Sequence, residues 1–75
     1  MKKSEYRLLT KCEEKTLLLI AEGHTNRQIA ARLFISIRTA EWHRANIIKK
    51  LKLSGASQLA IAAYKYKLLI KANKE

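Results

Sequence analysis

Within residues 36 to 51, Arg38, Glu41, Trp42, Ala45, Asn46 and Lys49 recur at intervals of three and four. At 100° per residue they gather on one side of a helix, while Ala40, His43, Ile47 and Leu51 fall on the other. Two cations, an amide, an indole and a carboxylate are the side-chain types that meet phosphates and base edges in a DNA major groove, which is wide enough for one helix. A solvated outer stripe is the plain alternative, because any surface helix carries one. A second phosphate anchor is indicated upstream, where Thr25, Asn26 and Arg27 open a short helix. Free amides and the dipole favour an anion there, and a cation in that first turn makes sense beside a phosphate. Lys49 and Lys50, late on the longer helix, suit its negative end and can also reach a nucleic-acid backbone.

Other chemistry lacks its parts. His43 belongs to the inward stripe and reads as a packing residue, His24 follows Gly23 in a turn, and Cys12 is the single thiol, so no zinc-like ligand spacing assembles. No nucleophile, base and orienter are positioned together, and there is no glycine-rich phosphate loop or carboxylate pair. We therefore expect no catalytic residue, metal, cofactor or small-molecule substrate.

Charge points the same way as the helix face. Sixteen Lys and Arg against six Asp and Glu leave +10 on 75 residues, which implies a polyanionic partner. Residues 1–37 hold seven basic and four acidic side chains (+3), and residues 38–75 hold nine and two (+7). The length admits one domain, 1–75. A lone cysteine suits a reducing cytoplasm. The longest apolar runs, Leu17–Ala21 and Leu59–Tyr64, are far short of a membrane span, and no apolar stretch follows the basic start as an export signal requires. Composition fits a single-domain protein as well as one module of a longer one.

The elements that must hold these side chains are all helices. Proline is absent and glycine occurs twice, which with abundant Ala, Leu, Lys and Glu predicts an all-α fold. Thr10 with Glu13 forms a capping-box pattern and Gly23 a left-handed stop, giving a first helix at about 11–22 with Leu17, Ile20 and Ala21 inward, Thr16 at the edge and Leu18 pointing elsewhere. Thr25 with Gln28 repeats the box for a second helix, about 26–33. Ser36 caps a third, running to Leu51 or Lys52, so residues 25–52 read as a helix-turn-helix. A fourth, about 57–71, has one stripe of Leu59, Ala62, Ala63, Tyr66 and Ile70 and a second, roughly opposite, of Ile61, Tyr64 and Leu68.

Taken in order, Leu9-Thr10, Glu13, Leu17, Leu19 to Gly23, Asn26, Ile29-Ala30, Leu33, Ile35-Ser36, Thr39, His43, Ile47 and Lys50-Leu51 resemble the LuxR-type (GerE- or NarL-like) DNA-binding domain over residues 8–64. The resemblance implies a four-helix bacterial transcription regulator that reads double-stranded DNA with its third helix. On this chain the implied contacts are Thr25, Asn26, Arg27, Ser36, Arg38, Thr39, Glu41, Trp42, Ala45, Asn46, Lys49 and Lys50. It also implies a homodimer through the fourth helix, here Ile61, Tyr64, Lys65 and Leu68, unless Tyr6, Leu8 and Leu9 fold back over that stripe.

Several positions depart from the family pattern. Cys12 replaces a usual arginine, Lys15 a glutamate, and Ala56 an arginine that often opens the fourth helix. Glu41 replaces a groove-facing lysine; it is tolerable beside phosphates if it accepts a hydrogen bond from cytosine N4, or if Arg38 and Arg44 hold it. Trp42 can touch a thymine methyl, stack on a sugar edge, or anchor a protein. The alternative function is thus a protein-interaction module on the same scaffold. A membrane-surface role fits less well, because the fourth helix lacks one broad cationic face.

Overall fold

A computed structural model describes residues 3–73 and shows a short 3₁₀ segment, Lys3–Leu8, followed by α1 (Lys11–Ala21), α2 (Asn26–Leu33), α3 (Ile37–Lys50) and α4 (Ala56–Asn73). Residues 1, 2, 74 and 75 of the expected domain lie outside the described residues. The class is all-α, with no strand among the described residues.

Both threonine boxes form. Thr10 Oγ1 accepts from the Glu13 N–H at 3.1 Å while Glu13 Oε1 accepts from the Thr10 N–H at 2.9 Å. Thr25 and Gln28 exchange the same two bonds at 3.2 and 2.9 Å. Each pair satisfies two amides that a helix start leaves without partners.

The helix ends share one device. After α1, the Gly23 N–H reaches Ile20 O at 3.0 Å and the His24 N–H reaches Leu19 O at 3.0 Å, with Gly23 at φ 89°. This double closure ties up the last carbonyls of the helix. It recurs after α2, where Phe34 bonds to Ala31 and Ile35 to Ala30, and after α3, where Lys52 bonds to Lys49 and Leu53 to Ile48. There the left-handed residue is Phe34 (φ 58°) or Lys52 (φ 56°). A side chain in that region costs about 1 kcal/mol or more. Phe34 does not recover it by burial, being 94% exposed.

Two apolar centres hold the helices. Leu17 of α1 meets Ile47 and Leu51 of α3 and Leu59, Ala62, Ala63 and Tyr66 of α4, and Tyr6 and Leu9 complete this cluster. A smaller one, Ile29 and Ala30 of α2 with Ala40 of α3, sets the angle between the two helices of the helix-turn-helix, and Ile20 packs against both centres.

Three expectations are corrected. Thr16 is fully buried rather than marginal, its hydroxyl donating to Cys12 O at 2.8 Å, and Leu18 is partly packed on the main cluster. A threonine can be buried so because its own helix supplies the acceptor. The N-terminal segment does fold back on α4, but on the already buried stripe: the Tyr6 ring lies 4.8 Å from that of Tyr66, while Leu8 stays 60% exposed. Ring-to-ring contact and burial beside Leu59 and Ala62 reward that placement. Ile61, Tyr64 and Leu68 therefore remain open to solvent. No helix among the described residues is long and apolar enough to cross a membrane.

Candidate nucleic-acid interface

Ser36 starts α3 by accepting from the Thr39 N–H at 3.0 Å, and its hydroxyl donates to Thr39 Oγ1 at 2.9 Å. Ala40 and Ile47 are wholly buried, which fixes the rotation of the helix about its axis. With that rotation, Arg38, Glu41, Trp42, Ala45 and Lys49 are exposed and Asn46 is half-buried. Among the described residues no element, α4 included, buries the five exposed side chains. Trp42 is 62% exposed, an unusual setting for an indole in a monomer. Ile37, which sequence reasoning passed over, is also exposed at the start of the helix; its single apolar side chain gave no periodic signal.

The N-terminus of α2 presents Thr25 and Arg27 to solvent. Asn26 is half-buried and turns its Oδ1 inward, where it meets no partner, so its carbonyl does not face outward with them. His43 is half-buried as well, with Nδ1 buried and unbonded and its ring 5.5 Å from that of Trp42. His24 directs Nδ1 at Leu19 O, 3.2 Å away, and Cys12 is exposed. No group of His, Cys, Asp or Glu that could hold a metal occurs among the described residues.

Lys50 leaves the set of free cations. Its Nζ lies 2.7 Å from Glu13 Oε1, the oxygen that also accepts the Thr10 N–H. Glu13 is 3% exposed, and a carboxylate so placed needs its donors. The pair ties the start of α1 to the end of α3 and so helps set the tilt of the exposed face. Two residues 37 positions apart carry no local pattern that would have announced this contact.

Burial alone pushes the Glu13 carboxyl up. The hydrogen bond from Lys50, the Thr10 amide and the charges of Lys50 and His43 outweigh it, so the acid sits below its ordinary value. A depressed acid stabilises the fold fully above its unfolded value, about 4.3, and that stabilisation is lost as pH falls through the lower folded value. Thermal unfolding between pH 2 and 7 is expected to show a downturn beginning near pH 4 that is smaller in Glu13→Gln. Identical acid limbs would show that the contact contributes nothing.

Along the open side of α4, Ile61, Tyr64 and Leu68 are 56%, 58% and 49% exposed. A shallow groove lined by Leu53, Gln58, Ile61, Ala62 and Lys65 runs beside them. The two exposed surfaces therefore differ in kind, one mixed and cationic on α3 and one apolar on α4.

The model of the family described as "Bacterial regulatory proteins, luxR family" matches residues 7–63. Similar proteins include the oxygen regulatory protein NreC of Staphylococcus carnosus, 44% identical over 64 residues, 85% of this chain and 30% of that protein. The transcriptional regulatory protein LiaR of Bacillus subtilis is 46% identical over 61 residues, 81% of this chain and 29% of that protein. The response regulator protein VraR of Staphylococcus aureus is 39% identical over 64 residues, 85% of this chain and 31% of that protein. The chain spans about three-tenths of the length of these relatives. With four helices in helix-turn-helix order and a family match over most of its length, the chain belongs to the luxR family of bacterial regulatory proteins, which are helix-turn-helix DNA-binding transcription regulators.

Proposed function

We propose that this chain binds double-stranded DNA sequence-specifically as part of a cytoplasmic transcription regulator, with α3 lying in the major groove and two copies joined through α4. The observation that carries this is the open side of α3. Arg38, Trp42, Ala45 and Lys49 face solvent together while Ala40 and Ile47 hold the opposite side in the core. Arg38 and Lys49 supply charge for phosphates, Trp42 and Ala45 apolar contact for base edges, and the half-buried Asn46 an amide. The amides after Thr25, with Arg27, give a second phosphate anchor. The Ser36 hydroxyl donates to Thr39 Oγ1, which leaves the Thr39 hydroxyl proton as the donor this pair offers a phosphate.

The second copy is argued from α4. Ile61, Tyr64 and Leu68 form an apolar row that nothing among the described residues covers, with Lys65 at its border. A two-fold axis through that row sets each side chain against its own twin or a neighbour, and it directs two reading helices at two half-sites. The relatives named as transcriptional regulatory proteins support the regulatory part of the proposal, not the pairing.

Titration of duplex DNA across salt tests the proposal. Affinity should fall steeply as salt rises, and removing a phosphate-neutralising cation by Arg38→Ala or Lys49→Ala should lower the slope of log K against log salt by about 1. Absence of binding even at low salt would sink it and leave the protein-interaction function, to which exposed Trp42 and Phe34 would then belong.

A further inference from the structure

Glu41 is the single acidic residue on α3, and it stands on the exposed side with Arg38 and Lys49. Two ways of tolerating it beside phosphates were open, an ion pair within the helix or a donor on the DNA. The structure removes the first. Among the described residues the ion pair present is Lys50–Glu13, so neither Arg38 nor Arg44 holds the Glu41 carboxylate. Its neighbours one turn before and after are Ile37 and Ala45, both exposed and both apolar. Side chains at i−4 and i+4 stand in one row along a helix. The carboxylate thus has Ile37 and Ala45 along its row, while Arg38 and Arg44, at i−3 and i+3, form no ion pair with it. Pressed into a groove, Ile37 and Ala45 displace water from around it, and an acceptor deprived of water must find a donor.

Resting on the DNA-binding function proposed above, we infer that Glu41 is a specificity-determining residue that reads a cytosine in each half-site. The groove edges decide which base. Guanine presents two acceptors and thymine one, and all three repel a carboxylate; adenine offers N6–H beside the acceptor N7; cytosine offers its N4 donor with no acceptor of its own in the groove. Cytosine is therefore preferred, adenine second, and guanine and thymine are rejected. A lysine at this place would demand the reverse, an acceptor such as guanine. One reversed charge in the row changes the sequence read while the scaffold stays the same.

Selection from a random duplex pool, run in parallel for the native chain, Glu41→Gln and Glu41→Ala, tests this. The native pool should be enriched for cytosine at one position per half-site. Changing that cytosine to guanine should weaken native binding roughly ten- to a hundredfold. Glu41→Gln should move the preference at that position toward adenine, whose N6 and N7 suit an amide. Glu41→Ala should erase the preference there and leave other positions as they were. Both variants should unfold at the native temperature, because the side chain is exposed and unbonded. Cytosine retained in the Glu41→Ala pool, or a native consensus without it, overturns the assignment while leaving DNA binding intact. No enriched sequence for any of the three removes the DNA-binding function itself, and this assignment with it.

Discussion

Replacing Ile61 and Leu68 together with glutamine is expected to lower affinity for a two-half-site operator by about 10²–10⁴ while leaving affinity for a single half-site unchanged. The two side chains are 56% and 49% exposed in the monomer, so they contribute little to its folding. Glutamine forms helix nearly as well as leucine and adds no charge, so neither helix content nor electrostatic attraction to DNA should move. What changes is the surface between copies, where an apolar contact becomes an amide without a partner. One stripe on one helix buries an area near the low end for stable association, so the free chain should be mostly monomeric and the pair should form on DNA. There each bound copy raises the local concentration of its twin, and the second half-site is gained at little further cost. Sedimentation with and without operator, beside titration of one and two half-sites, checks this. Equal affinity of variant and native chain for the double site would show that α4 joins nothing.

The helices and the face of α3 were legible because their signals are local. Thr10 with Glu13 and Thr25 with Gln28 announce their starts within four residues, and the alternation of Ala40 and Ile47 with Arg38 and Lys49 fixes which side of α3 is inward. Where no local signal exists, the sequence was silent. Phe34 and Lys52 close α2 and α3 in the left-handed conformation that glycine marks only at Gly23. An L side chain is strained there, so its identity does not advertise the turn; the residue that follows, Ile35 or Leu53, packs on the core. The Lys50–Glu13 pair depends on how α3 lies on α1, which only the assembled core determines. Lys50 therefore read as a free cation for DNA. The same holds for Tyr6, whose apolar ring fits either stripe of α4 on pattern alone. It takes the inner one because Tyr66 and Leu59 are already gathered there.

Leu17→Ala is expected to destabilise the fold by about 2–5 kcal/mol, the cost of removing a leucine side chain from a close-packed interior. Leu17 is fully buried at the junction of α1 with Ile47 of α3 and Leu59 of α4, so the vacated space is bordered by three helices that cannot all close on it. A 75-residue chain has only roughly 4–11 kcal/mol in total. The variant should therefore have a much lower urea midpoint at an unchanged slope, and a measurable unfolded fraction at 37 °C. Leu18→Ala, one residue along but only partly buried, should cost well under half as much. Equal losses would place the centre of the core elsewhere. DNA provides the second readout. A ligand that binds only the folded chain adds stability, about 2.7 kcal/mol at a hundredfold excess over its Kd. Operator DNA should thus restore much of the Leu17→Ala midpoint at low salt and less at high salt, because the same counterions that compete for the phosphates withdraw the support. Rescue by DNA follows only if DNA binds the folded chain and not the unfolded one, which couples the stability of this small core to the surface it presents.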